Sequence, residues 1–129
     1  MGSESILIVD DDPANLKVAR LLLEGEGYDV CTAVDAEEAL DLLKSFRPDL
    51  ILIDVQLPGM DGLELTRRLK AARGTRHITI VALTAYAMKG DKQRTEDAGC
   101  DGYIAKPIDT RSLPRLVAEY LRRGEGIAE

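Results

Sequence analysis

The chain has 129 residues, of which 45% are hydrophobic and 31% charged, the profile of a globular domain large enough for a proper core. Its 23 acidic against 17 basic residues leave a formal charge of −6, which disfavours nonspecific binding to nucleic acid or an anionic membrane. No apolar run approaches the ~20 residues of a membrane span, and the N-terminus lacks a basic-then-apolar signal pattern, so a cytoplasmic location is expected.

Ser5 to Val9 is a short aliphatic run with the length of a strand, ending in Asp10-Asp11-Asp12-Pro13. Asp followed by Pro starts a helix: Asp12 is the N-cap and Pro13 the first helical residue. Leu16, Ala19, Leu22 and Leu23 recur at helical spacing until Gly25 and Gly27. Tyr28 to Val34 reads as a second strand, and Asp35 caps a second helix with Ala39, Leu40, Leu42 and Leu43 on its apolar face. Asp49 to Ile53 is the third strand, an apolar run buried on both faces, closed by Asp54 and broken by Pro58-Gly59. Leu63, Leu65 and Leu69 mark the inner side of a third helix opening at Gly62. Ile78 to Leu83 is a fourth strand. Lys89 to Ala98 is helical but poor in large apolar residues, which predicts weak packing. Gly102 to Ala105 is a short fifth strand before Lys106-Pro107, and Leu113, Leu116, Val117, Tyr120 and Leu121 pattern a last helix. Residues 123–129 read as a tail beyond a core at 5–122, within a single domain.

Five alternating strand–helix pairs predict an α/β fold, a parallel sheet with helices on both faces. Ligands of such sheets bind at the carboxyl ends of strands. Sorted by those ends, the polar residues are Asp10 and Asp11, Asp54, Thr84 and Lys106. Taken singly each has a plain alternative: an acidic capping turn, a loop acid, a turn threonine, a surface lysine. Together they form a far more specific set. Each close pair among three carboxylates costs about 3–4 kcal/mol at an effective dielectric near 20. Such a cluster asks for a hard divalent cation, Mg²⁺ or Mn²⁺, and Mg²⁺ is commonly completed by phosphate oxygens. A carboxylate is a known nucleophile in aspartyl-phosphate formation, and a Lys with a Thr hydroxyl supplies donors for phosphoryl oxygens. Cys31 and Cys100 lie in no CxxC or metal-type cluster and read as reduced thiols. His77 reads as a solvated loop residue.

The chain resembles the receiver domains of two-component response regulators over about Ser5 to Arg122. The stretches that carry the resemblance are Leu7-Ile8-Val9-Asp10-Asp11, Ile53-Asp54 through Asp61-Gly62, Leu83-Thr84-Ala85 and Gly102-Tyr103-Ile104-Ala105-Lys106-Pro107. Residues 83–91 are further similar to single-domain regulators and to receivers of hybrid kinases. The resemblance implies a doubly wound, flavodoxin-like (βα)5 fold with strand order 2-1-3-4-5. It implies that Asp54 is the phosphoacceptor, that Asp11, Asp10 and the Gln56 backbone carbonyl join it in holding Mg²⁺, and that Lys106 pairs with the phosphoryl group. Thr84 and Tyr103 are then the coupled switch pair, and a cis peptide precedes Pro107. Gln56 and Tyr86 flank the implied water path and are expected to tune the phosphorylated lifetime.

The implied activity is not enzymatic turnover. The domain is expected to catalyse only its own phosphorylation and dephosphorylation, as a stand-alone switch or phosphorelay shuttle; the alternative is a receiver cut from a hybrid histidine kinase or a multidomain response regulator. Implied partners are a sensor histidine kinase or histidine-phosphotransfer protein and a downstream output protein bound by the fourth helix, fifth strand and fifth helix. A monomer or weak dimer is expected, without nucleic acid or membrane. Two other classes fit less well. A haloacid-dehalogenase-type phosphatase needs an acid two residues after the nucleophile, where this chain has Gln56. A flavin carrier would not place three aspartates beside the FMN phosphate.

Overall fold

The computed structural model describes the backbone of residues 4–84 and 89–127 and the side chains of 4–84 and 93–123. Five strands and five helices alternate: β1 (Ser5–Val9), α1 (Pro13–Gly25), β2 (Asp29–Ala33), α2 (Ala36–Leu42), β3 (Leu50–Asp54), α3 (Gly62–Ala71), β4 (Thr79–Thr84), α4 (Lys89–Ala98), β5 (Gly102–Ala105) and α5 (Leu113–Ile127). All strand pairs are parallel and the sheet order is β2-β1-β3-β4-β5. The doubly wound, flavodoxin-like fold is thus present, with its topological switch between β1 and β3.

The two-residue period of the strands divides the core. Ile6, Ile8, Leu50, Leu52, Val81, Leu83 and Ile104 pack against Leu16, Ala19 and Leu23 of α1 and Leu113, Val117 and Leu121 of α5. Leu7, Val9, Ile51, Ile53 and Ile80 face Ala36 and Ala39 of α2 and Leu65 and Leu69 of α3. Continued past the strand ends, the same alternation gives Asp10, Asp54 and Lys106 the parity of the α1–α5 face.

Local signals hold the helix starts in place. Asp12 accepts a hydrogen bond from Ala14 N at 2.9 Å with Pro13 behind it, and Asp35 accepts from Glu38 N at 2.8 Å. Asp61 caps α3 through Glu64 N, also at 2.8 Å. Gly27, at φ 94°, takes the left-handed turn after α1 that a side chain would disfavour. One expectation needs correction. The α5 backbone stays helical to Ile127, through most of the stretch read as tail. Gly124 and Gly126 lower helix propensity by about 1 kcal/mol each, but extending a nucleated helix still adds a hydrogen bond per residue.

At the amino-terminal edge of the sheet, Lys70 of α3 reaches three acceptors: Arg76 O at 3.3 Å, Ile78 O at 2.8 Å and Asp101 Oδ2 at 2.9 Å. Asp101 also accepts from Ile80 N at 2.8 Å, and its own N–H donates to Ile80 O at 2.7 Å. The foot of α4 is thereby tied to α3 and β4. No helix among the described residues is long and apolar enough to cross a membrane.

Candidate functional site

At the opposite, carboxyl-terminal edge an open cleft of about 780 Å³ lies over the β1–β3 switch point, its wall including Asp11, Asp54, Gln56, Thr84, Arg94 and Lys106. Asp10, Asp54 and Thr84 are buried, at 1%, 5% and 3% exposure, while Asp11 is exposed. Carboxylate oxygens of Asp10, Asp11 and Asp54 all lie within 4.8 Å of one another. Of the residues singled out from the sequence, the structure brings these three acids and Lys106 together.

Asp54 is the last residue of β3, one place further into the strand than its sequence pattern suggested. Its Oδ1 accepts from Gln56 N at 3.0 Å and its Oδ2 from Lys106 Nζ at 2.9 Å. Lys106 also stands 3.1 Å from Asp10 Oδ2. The other Asp10 oxygen accepts from Asp12 N at 2.9 Å. Burial pushes the Asp54 carboxyl above its ordinary pKa; the hydrogen bonds from Lys106 and Gln56 oppose that rise without cancelling it, and the Asp10 charge adds to it. For Lys106, burial would lower the ammonium's pKa, but hydrogen bonds and attraction from Asp54 and Asp10 outweigh burial and raise it.

Backbone contacts hold this arrangement. Lys106 N donates to Thr84 O at 2.7 Å, and the Lys106–Pro107 peptide is cis. Val55 N donates to Leu83 O and Gly62 N to Val55 O, both at 3.0 Å, closing the loop after β3 onto α3. A Cβ on Gly62 would collide with the carbonyl oxygen of Asp54, so glycine is required where α3 starts against the site. Tyr103 is half-buried on β5 opposite Ala82, on the sheet face that also carries Thr84. Tyr86 lies outside the described residues.

Sequence reading missed three polar residues of the cleft. Asn15 lies in the first turn of α1, its Nδ2 3.5 Å from Asp10 Oδ2; Asp61 is exposed at the rim; Arg94 comes from α4. Asp12, read only as a cap, also lines the wall. Asn15 could have been sought as a polar residue shortly after a marked strand end, and Asp61 as the cap of the helix that opens at Gly62. Arg94 carried no such signal.

The response regulator receiver-domain model matches residues 6–118. The chain belongs to the receiver-domain family of response regulators. It is 47% identical to the polar-differentiation response regulator DivK of Brucella anthropi over 118 residues, covering 92% of this chain and 96% of DivK. Among solved structures, a putative response regulator from Chloroflexus aurantiacus is 36% identical with a TM-score of 0.88, covering 94% of this chain and 99% of that one. The receiver domain of a sensor histidine kinase from Pseudomonas aeruginosa, whose active-site cleft coordinates a magnesium ion, is 35% identical with a TM-score of 0.84, covering 94% and 99%. The fold and the two-component receiver class read from the sequence are therefore correct.

Proposed function

We propose that Asp54 accepts a phosphoryl group from a phosphohistidine, and that the modification switches a protein-binding surface on α4, β5 and α5. The observation that carries this reading is the convergence of Asp54, Asp10, Asp11 and Lys106 in one cleft at the strand ends.

A divalent cation fits the donor set. Three carboxylates less the Lys106 ammonium leave two formal negative charges, and every candidate donor is oxygen. Asp10, Asp11, Asp54 and the Gln56 carbonyl would hold Mg²⁺ or Mn²⁺, whose charge would offset that of the incoming phosphoryl oxygens. The magnesium in the Pseudomonas receiver supports this assignment.

In the transfer, an Asp54 carboxylate oxygen forms the new bond to phosphorus while the bond to the donor imidazole nitrogen breaks. Lys106, already 2.9 Å from Asp54, and the Thr84 hydroxyl then hold phosphoryl oxygens. Drawing Thr84 inward opens space on its sheet face for Tyr103. Coupling of this kind is worth about 1–3 kcal/mol, enough to shift a mixed population. Hydrolysis requires water at the phosphoryl group; Gln56, in the cleft wall, and the position of Tyr86 are assigned to tuning the lifetime.

The activity is self-modification, and the output passes to a partner protein. The 47% identity to DivK supports a stand-alone regulator or phosphorelay shuttle as the first reading. The likeness to the histidine-kinase receiver supports a second reading, a receiver belonging to a longer hybrid protein.

Intact mass after incubation with acetyl phosphate and Mg²⁺, beside an Asp54→Asn control, tests the chemistry. A gain of one phosphoryl group, dependent on Mg²⁺ and absent from the control, is expected. No gain together with no beryllofluoride binding would sink the reading.

A further inference from the structure

We propose that Arg94, from the second turn of α4, binds oxygens of the phosphoryl group carried by Asp54 and so gives α4 a direct charge contact with the modified site. The inference rests on the phosphoacceptor reading above and adds a residue and a route to it.

Three observations converge. First, Arg94 stands in the wall of the same cleft as Asp54, Thr84 and Lys106. The direction of the helix explains how. The chain leaves β4 at the site edge and α4 runs away from it, and side chains on a helix lean toward its amino terminus. A long side chain in the second turn therefore leans back toward the cleft. Second, the half of α4 that carries Arg94 is anchored. Thr95, the next residue, is 2% exposed, and Ala98 is buried. Cys100 N donates to Thr95 O at 3.0 Å, and the Asp101–Lys70–Ile80 bonds fix the foot of the helix. Arg94 thus projects from the firm part of an element whose exposed residues, among those described, are all polar.

Third, the charges of the cleft call for it. Its walls hold Asp11, Asp12, Asp54 and Asp61 against Lys106 and Arg94 among the described residues. Lys106 is already shared between Asp54 and Asp10. Turning one carboxylate into a phosphoryl group adds negative charge and oxygens that accept hydrogen bonds. A guanidinium presents a planar fork of donors suited to those oxygens.

The test is calorimetry on wild type, Arg94→Ala and Arg94→Lys, titrating first Mg²⁺ and then beryllofluoride at saturating Mg²⁺. Arg94→Ala is expected to weaken beryllofluoride binding about tenfold, with Arg94→Lys recovering part of the loss. Mg²⁺ affinity should stay the same or tighten, because the variant removes a cation from an acidic cleft. Higher salt should narrow the gap between wild type and Arg94→Ala. Wild-type beryllofluoride affinity in Arg94→Ala would overturn the proposal. So would equal losses of Mg²⁺ and beryllofluoride affinity in both variants, which would make Arg94 a prop for the helix. A wild-type protein that binds no beryllofluoride and gains no phosphoryl mass would instead remove the phosphoacceptor reading itself, and this inference with it.

Discussion

Lys106 Nζ lies 2.9 Å from Asp54 Oδ2, and the same nitrogen is 3.1 Å from the buried Asp10. One ammonium thus holds two carboxylates that would otherwise repel across the β1–β3 switch point. Removing it leaves both acids without their cation in a site largely withdrawn from water. Lys106→Met is expected to lower unfolding stability in divalent-free buffer by about 3 kcal/mol. Saturating Mg²⁺ should restore part of that loss, because it replaces the missing positive charge. Urea unfolding with and without Mg²⁺ measures both effects.

Asp54 offers the reverse case. Its folded pKa is raised above 3.8, so the folded state binds this proton more tightly than the unfolded chain does. The resulting destabilisation is absent below 3.8, grows as pH climbs toward the folded value and is constant above it. Asp54→Asn removes the charge and leaves Lys106 its contact with Asp10. The variant should therefore be more stable than wild type at neutral pH without metal, by roughly 1 kcal/mol. The advantage should fade as pH falls toward 3.8. A pH series of thermal melts tests the sign, and an equal gap at every pH would contradict it.

Two glycines should respond oppositely to the same change. A Cβ at Gly62 would strike the Asp54 carbonyl oxygen and come within 2.8 Å of Ile53 Cγ2, against backbone that cannot yield. Gly62→Ala is expected to cost about 2–3 kcal/mol and to slow phosphoryl acceptance by displacing Asp54. Gly25 closes α1 with nothing within 4 Å of its would-be Cβ. There Gly25→Ala should stabilise by about 0.5–1 kcal/mol, chiefly through the entropy of the unfolded chain.

Gly102 and Tyr120 make a testable pair on the proposed output surface. A Cβ at Gly102 would enter the Tyr120 ring, whose hydroxyl donates to Tyr103 O at 3.5 Å. Gly102→Ala should destabilise by about 1–3 kcal/mol, and much of that loss should vanish in a Tyr120→Ala background. A double-mutant cycle by chemical denaturation reads the coupling. Additive losses would mean that the cost of Gly102→Ala does not arise from the Tyr120 ring.

Local chemistry was written plainly in the chain. Asp12-Pro13 announced the start of α1, and the apolar runs into Asp10, Asp54 and Thr84 marked the strand ends that build the cleft. Strand order was a different matter. Periodicity says which residues face a sheet, not which strand lies beside which, and the order 2-1-3-4-5 came only through the family resemblance. The dual hold of Lys106 was hidden for the same reason, since it joins residues far apart in sequence. Arg94 was invisible because its reach depends on the direction and footing of α4. The extent of α5 was misjudged because the apolar pattern ends at Leu121, while the backbone of an existing helix ran on to Ile127.

Lys70 ties α3, β4 and the start of β5 together at the end of the sheet furthest from Asp54. If the far edge accepts a phosphoryl group as proposed, that knot is expected to stay closed, and labels at this pole should then not respond to signalling state. An affinity tag, a surface tether or a fluorophore placed there would report where the protein is without reading what it has been told. A pair of labels, one at this pole and one on α4, would turn the same rigidity into a ruler for the switch.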